Sequence, residues 1–263
     1  MVFDVSHLID YTLHLADDAL ILGHRNSEWC GHGPVLEQDI AITNISLDLI
    51  GQARYFYQYA AQQINKVHES TGEEYGLATE DSLAYLRDTR EFKNCLLVEQ
   101  PNGDWAKTIL RQFLFSAYQF YLYDELQNST VGVLAAIAEK SLKEVTYHLR
   151  WSSEWVIRLG DGTAESRRRM VNSIDELWMY TGELFASAGY ESGVGEEGIR
   201  LDLAAIEVEW IGKVKEVFHE ATLDYPRPVF MQSGGKEGIH TENLGYILAD
   251  LQFIQRAYPN CEW

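Results

Sequence analysis

Apolar residues recur at intervals of three or four along four long stretches of this chain. In residues 5–25 the repeating positions are Val5, Leu8, Ile9, Leu13, Ala16 and Leu20, which is the spacing of one helix face. The same period runs through residues 34–63, where Pro34 suits a first helical position, and through residues 104–128 and 131–159. No stretch of the sequence alternates convincingly between apolar and polar residues, as a half-buried strand does. The pattern therefore predicts four long helices.

Shorter helices are expected between and after these four, several of them behind a capping threonine or aspartate. They are a short helix after Thr79, residues 164–186 after Thr163, a helix from Asp202 to about residue 222, and residues 240–257. The second and third long helices are separated by roughly 40 residues, which is too long for a simple turn and fits the crossover of a ferritin-like bundle. We predict an all-α fold, a ferritin-like helical bundle with additional C-terminal helices, as a single domain over residues 1–263.

The charge balance narrows the possible partners. With 21 Lys+Arg against 40 Asp+Glu, the net charge is −19, and such a surface repels phosphate backbones and anionic lipid. We therefore expect neither nucleic acid nor a membrane as a partner. The N-terminus lacks the basic region of a signal peptide, and no apolar run approaches the roughly 20 residues of a membrane span. These features predict a soluble, cytoplasmic protein.

The cysteines do not point to a disulfide or metal framework. Cys30, Cys95 and Cys261 are odd in number, far apart and without a Cys-x-x-Cys motif. Their arrangement argues against structural disulfides and against zinc or iron–sulfur ligation.

Two of the long helices carry an acid followed four residues later by an imidazole or an amide. The pairs are Glu144–His148 and Asp48–Gln52, and a spacing of four places both members on one helix face beside the apolar stripe. Bundles that hold two iron or manganese ions use Glu-x-x-His instead, with a spacing of three. At the corresponding glutamate places this chain has Val145 and Leu49.

The other long helices do not make up for these losses. The first offers Asp17 and Asp18, and the third offers only Ser116 and Gln119 near the expected depth, whereas a di-iron centre needs about four carboxylates and two histidines. We therefore interpret five residues as relics of a lost site, neither metal ligands nor catalytic groups, whose side chains are hydrogen-bonded. They are Asp18, Asp48, Gln52, Glu144 and His148. An active di-metal site with atypical ligands is the alternative.

Two further motifs give weaker signals. True Glu-x-x-His strings occur at Glu216–His219 and Glu237–His240, but neither has a partner helix of the same type, so chance and a solvated surface are the better explanations.

The segment of Gly234, Gly235 and Lys236 could place backbone N–H groups and an ammonium around a phosphate, and it is our candidate ligand contact. A plain turn is the more common role for such a segment.

Four blocks of the sequence carry a resemblance to a known family. They are "DDALILGHRNSEWCGHGPVLEQDIAITNISLDLIGQARYFYQYA", "LLVEQPNGDWAKTILRQFLF", "KSLKEVTYHLRWSSEWVIRLGDGT" and "GGKEGIHTENLGYILADLQFIQRAYP". In these blocks, and over nearly the whole chain, the sequence resembles the C-subunit family of bacterial phenylacetyl-CoA epoxidases.

The resemblance implies a ferritin-like, structural subunit without metal or cofactor of its own. It also implies a homologous catalytic A subunit that holds a di-iron centre, in a complex that epoxidises the ring of phenylacetyl-CoA in aerobic phenylacetate catabolism. That complex uses O2 and electrons from NADPH, which a reductase subunit delivers. An active di-metal oxidoreductase and a metal-free scaffold unrelated to oxygenation remain open.

The tyrosines of the second and third long helices are more numerous than one core would hold. They include Tyr55, Tyr57, Tyr59, Tyr118 and Tyr121. Since obligate interfaces are rich in aromatic side chains, we expect a partner to contact the exposed sides of residues 53–62 and 111–123.

Overall fold

The four long helices are present in the computed structural model, which describes residues 5–71, 77–194, 198–199, 201–259 and 261. All its regular elements are helical: α1 Val5–Ser27, α2 Leu36–Thr71, α3 Glu80–Tyr85, α4 Leu96–Glu99, α5 Trp105–Leu126, α6 Gly132–Gly160, α7 Ala164–Leu177, α8 Gly189–Gly193, α9 Leu203–Glu220, α10 Glu242–Leu251 and α11 Phe253–Ala257. Four 3-10 turns lie at Thr89–Glu91, Trp178–Tyr180, Gly182–Phe185 and Gly235–Glu237. No strand occurs in the described residues, so the all-α prediction is confirmed.

The predicted helix starts agree with the capping chemistry. Thr79 accepts a hydrogen bond from the Ser82 N–H at 3.0 Å, and Thr163 accepts one from the Ser166 N–H at 3.1 Å. Asp202 accepts from the Ala205 N–H at 3.0 Å. Each side chain satisfies a backbone donor that the first turn leaves without a helical partner.

One helix is shorter than its prediction. The helix expected over 164–186 ends at Leu177 and continues as two 3-10 turns. The Thr181 hydroxyl donates to the Trp178 carbonyl at 2.9 Å, and Gly182 packs so closely on Met231 that a Cβ would lie 2.6 Å from its Cγ. The tighter turn therefore serves a contact that the apolar period does not reveal.

The chain divides into two compact units. The first consists of Met1–Glu99, Ala188–Glu197 and Gly234–Trp263. Within it α1 packs along α2, and the core contains fully buried Ile21, Ile45 and Phe56. Burial of each such side chain contributes about 1.5–3 kcal/mol.

The second unit consists of Gln100–Ser187 and Gly198–Ser233. Within it α5 packs against α6, α7 and α9, and the Trp210 indole donates to the Leu114 carbonyl at 2.9 Å. Among the described residues no helix is both long and apolar enough to cross a membrane. A single domain over residues 1–263 stays a prediction.

The five tyrosines are not all buried, as the sequence predicted, but three of them lie within the cores. Tyr57, Tyr59 and Tyr118 are buried, Tyr121 is half-buried, and only Tyr55 is exposed. Residues 111–119 are all buried, so that part of α5 has no exposed side for a partner. Aromatic side chains fill these cores more densely than the count suggested.

Candidate functional site

The best-developed polar site in the first unit is built on Asp17 of α1. This carboxylate is fully buried. Its Oδ1 accepts hydrogen bonds from the Tyr57 hydroxyl at 2.5 Å and from Arg87 Nη2, and its Oδ2 accepts from Arg87 Nη1 at 3.1 Å and from the Lys93 N–H at 2.8 Å. Both oxygens are therefore engaged by donors of the same chain.

Arg87 is held on every side of its guanidinium. Its Nε donates to the Leu83 carbonyl at 2.6 Å and its Nη1 to the Glu91 carbonyl at 2.9 Å, while its Cζ lies 4.2 Å from the centre of the Phe92 ring. Burial alone would lower the pKa of Arg87, but Asp17 and Tyr57 raise it above the ordinary value. Burial and the Asp17 charge raise the pKa of Tyr57 well above its usual range. The cluster is thus a buried ion pair with a neutral phenol beside it.

Asp18, one of the five relic positions, belongs to a neighbouring cluster. Its Oδ1 accepts from the Cys95 N–H at 2.8 Å, and its Oδ2 lies 3.6 Å from His14 Nε2. His14 Nδ1 donates to the Lys93 carbonyl at 2.8 Å. Burial and the charge of Lys236 lower the pKa of His14 to about 3, so this imidazole is neutral near pH 7. Asp18 and His14 therefore attach α1 to the segment around residues 93–95.

The other relic positions are divided between the two units. In the first unit, Asp48 is half-buried on α2 and Gln52 is buried, next to fully buried Leu49. In the second unit, Glu144 is half-buried on α6 and His148 is fully buried, next to fully buried Val145. A hydrogen bond between Glu144 and His148 stays a prediction.

On α5, the expected polar residues interact within their own helix. The Gln112 amide donates to Ser116 Oγ at 2.8 Å, and the Gln119 amide donates to the Tyr123 hydroxyl at 3.2 Å. Neither pair adds a carboxylate to the site.

These residues do not fit a di-iron centre. Among the described positions, no three His, Cys, Asp or Glu side chains are grouped so that they could hold a metal ion. The Asp17 carboxylate, which the first helix would offer to a metal, is already neutralised by a guanidinium. Leucine and valine at the two glutamate places supply no ligand atoms.

A second buried ion pair joins Glu99 to His240, and the sequence reasoning missed it. His240 Nδ1 donates to Glu99 Oε2 at 2.9 Å, and its Nε2 donates to the Phe92 carbonyl at 2.9 Å. Glu99 also accepts from Asn94 Nδ2 at 3.0 Å, and from the Thr241 N–H and hydroxyl at 2.7 Å each. Because both ring nitrogens face acceptors, His240 is an imidazolium.

The expected solvated surface is right for Glu216, His219 and Glu237 and wrong for His240. Glu216 and His219 are exposed. The His240 side chain is fully buried, and its carboxylate partner lies 141 residues away. Glu237 instead accepts from the Gly189 N–H at 2.9 Å. No local spacing reveals such a pair.

The turn that contains Gly234, Gly235 and Lys236 is packed into the first unit. A Cβ on Gly235 would lie 2.3 Å from the Asn94 carbonyl oxygen, so only glycine fits there. The Lys236 ammonium is buried and lies 3.3 Å from both Glu191 oxygens. A phosphate at this turn would have to displace that carboxylate, and contact with CoA here stays a prediction.

The chain is similar to known proteins over nearly its whole length. The family described as phenylacetic acid catabolic protein matches residues 4–263. The C subunit of 1,2-phenylacetyl-CoA epoxidase from Escherichia coli (strain K12) is 45% identical over 259 residues, which cover 98% of this chain and 100% of that relative. The resemblance and the ferritin-like fold that the sequence predicted are thereby confirmed. This chain belongs to the phenylacetic acid catabolic protein family.

Proposed function

We propose that this chain is the C subunit of a phenylacetyl-CoA epoxidase in phenylacetate catabolism, and that it is a structural, non-catalytic subunit of that cytoplasmic complex. Its partners are a homologous catalytic A subunit that holds the di-iron centre and a reductase subunit that delivers electrons from NADPH. Similarity to the E. coli C subunit over the full length of both chains supports the assignment.

The buried Asp17–Arg87 pair is the observation that carries the non-catalytic part of the proposal. A buried carboxylate needs a compensating cation, and in this chain a guanidinium supplies it. A guanidinium does not take over the role of a metal ion: it neither binds O2 nor changes its oxidation state. The Asp17–Arg87 pair therefore stabilises the fold, and this supports a role in which the chain holds a partner subunit in shape.

Co-expression with the catalytic subunit tests the structural role. We expect the catalytic subunit alone to be insoluble or inactive, because an obligate interface buries more than about 2,000 Å² in total over the two partners. Addition of this chain should restore a soluble complex and NADPH- and O2-dependent turnover of phenylacetyl-CoA once the reductase is present. Equal solubility and activity of the catalytic subunit without this chain would refute the proposal.

An active di-metal oxidoreductase is the second candidate, because Glu144 and His148 still share one helix. We expect less than about 0.1 iron per chain after aerobic and anaerobic loading followed by desalting, because too few ligands are present. Elemental analysis measures this, with the catalytic subunit loaded in parallel as the positive control. Two irons per chain that survive desalting would favour the second candidate.

A further inference from the structure

Helix α2 is apolar on two opposite faces. One face is buried within the first unit and includes Ile42, Ile45, Leu49 and Phe56. The opposite face exposes Leu36 (72%), Ile40 (52%), Leu47 (62%) and Ile50 (40%) to solvent. A helix on the surface of a domain normally has one apolar face and one polar face, so this second apolar face calls for an explanation.

The four exposed side chains share one side of the helix, as the pairs Leu36–Ile40 and Leu47–Ile50 with the polar Thr43 between them. At about 100° per residue, positions 36, 40, 47 and 50 all fall within roughly 80° of one another around the helix axis. They extend over about 21 Å of its length. We call these residues, together with Gly51 on the same side, the outer stripe. Singly exposed apolar residues are ordinary, whereas several on one helix face are typical of an interaction surface.

Gly51 fits such a surface, although it is not unique, because Gly212 on α9 and Gly245 on α10 are equally open glycines inside helices. A glycine weakens a helix interior because it leaves the unfolded chain more freedom. The fold gives Gly51 no reason to be glycine, since a Cβ there would meet nothing within 4 Å. Gly23 differs, because its Cβ would lie 3.2 Å from both Ile50 Cγ1 and Leu49 Cβ. Ile50, at the edge of the outer stripe, therefore also borders α1. A missing side chain in the outer stripe suits the close approach of another helix.

The charge around the outer stripe indicates what kind of helix approaches. From residue 26 to residue 53 the chain has four acids and no lysine or arginine, and Arg54, one turn beyond Ile50, is paired with Glu80 at 3.3 Å. Exposed Glu37 and half-buried Asp48 lie on this part of α2. A second copy of this chain would bring the same acids together, with a net charge of −19 on each molecule, and like charges placed together oppose binding. A different protein with basic residues beside an apolar ridge fits better.

We propose that the outer stripe is the docking surface for a helix of the catalytic subunit, one that carries an apolar ridge flanked by lysine or arginine. The proposal rests on the structural-subunit function given above and assigns the contact to a face of this chain. It also replaces residues 111–123 as the expected contact, because residues 111–119 are buried.

Two variants of the outer stripe and one matched control test this surface. Leu47→Arg places a charge in the stripe, whereas Gly51→Leu fills its gap without adding charge. Val208→Arg is the control, because Val208 is also helical, aliphatic and 68% exposed but lies on α9. Affinity for the purified catalytic subunit is measured by calorimetry, and folding of each variant by circular dichroism and thermal melting.

We expect Leu47→Arg and Gly51→Leu to weaken binding at least about tenfold, and Val208→Arg to change it less than about threefold. Gly51→Leu should melt at or above the wild-type temperature, because leucine is the better helix former.

Unchanged affinity of both stripe variants, with wild-type binding intact, would overturn the docking surface and leave the structural role standing. Failure of the wild-type chain to bind would count against the structural role itself. Wild-type self-association that Leu47→Arg abolishes, while catalytic-subunit binding persists, would assign the stripe to a second copy and refute the proposal.

Discussion

Replacing Arg87 with leucine is expected to lower the free energy of unfolding by about 3–5 kcal/mol. The change leaves the Asp17 carboxylate fully buried without its cation, and with only the Tyr57 hydroxyl and the Lys93 N–H as donors. It also removes the bonds from Arg87 to the Leu83 and Glu91 carbonyls. Urea unfolding followed by circular dichroism measures the loss.

The cause is tested by a second substitution and a matched control. Changing Asp17 and Arg87 together to leucine should cost less than the sum of the single changes, because no buried charge is then left alone. Arg54→Leu is the control, since Arg54 is 65% exposed and paired with Glu80 at 3.3 Å, and it should cost less than about 1 kcal/mol. Equal losses for Arg87→Leu and Arg54→Leu would contradict a stabilising role for the buried pair.

The sequence was sufficient to locate the helices because their determinants are local. An apolar residue every three or four positions over more than twenty residues leaves little choice of structure, and the caps Thr79, Thr163 and Asp202 form within three residues of themselves. The end of α7 was missed because it depends on the contact between Gly182 and Met231, which lies far along the chain. Helix ends set by packing have no local signature.

The candidate site was harder to predict from the sequence, because its contacts join residues that lie far apart in the chain. Leu49 and Val145 could be read as lost ligands, because the expected glutamates have fixed spacing. The cations that compensate the buried acids could not be identified from spacing. Arg87 lies 70 residues from Asp17, and His240 lies 141 residues from Glu99.

Compensation of buried charge connects the fold to the proposed role. In a metal-binding bundle, inward carboxylates are balanced by cations that come from outside the chain. In this chain the cation for Asp17 is Arg87 and the cation for Glu99 is His240, both supplied by later segments of the same unit. The first unit is therefore held by its own charges, which suits a subunit whose task is to keep one surface in place for a partner.

The Glu99–His240 pair should make the stability of the chain depend on pH. Burial alone would lower the pKa of His240, but the hydrogen bond and charge of Glu99, with the Phe92 carbonyl and the more distant Asp17, raise it above its ordinary value of 6.5. A group whose pKa is raised by folding stabilises the folded state fully below its unfolded pKa, and this contribution is lost as the pH rises through the folded pKa. Stability from this pair should therefore decline from about pH 6.5 upwards.

Replacing His240 with leucine removes the contribution of the Glu99–His240 pair to folding stability, together with the pH dependence of that contribution. At about pH 6 we expect a loss of roughly 3 kcal/mol, the lower end of the range for a broken buried pair, because Glu99 keeps its bonds from Asn94 and Thr241. The loss should shrink as the pH rises, since the wild-type imidazolium gives up its proton while the variant has none to lose. Urea unfolding of both proteins between about pH 6 and pH 9 measures the difference, and His32→Gln, at an exposed histidine, supplies the control. A wild-type-to-variant difference that stays constant across this range would contradict a charged His240, because a neutral imidazole could donate to only one of the two acceptors it faces.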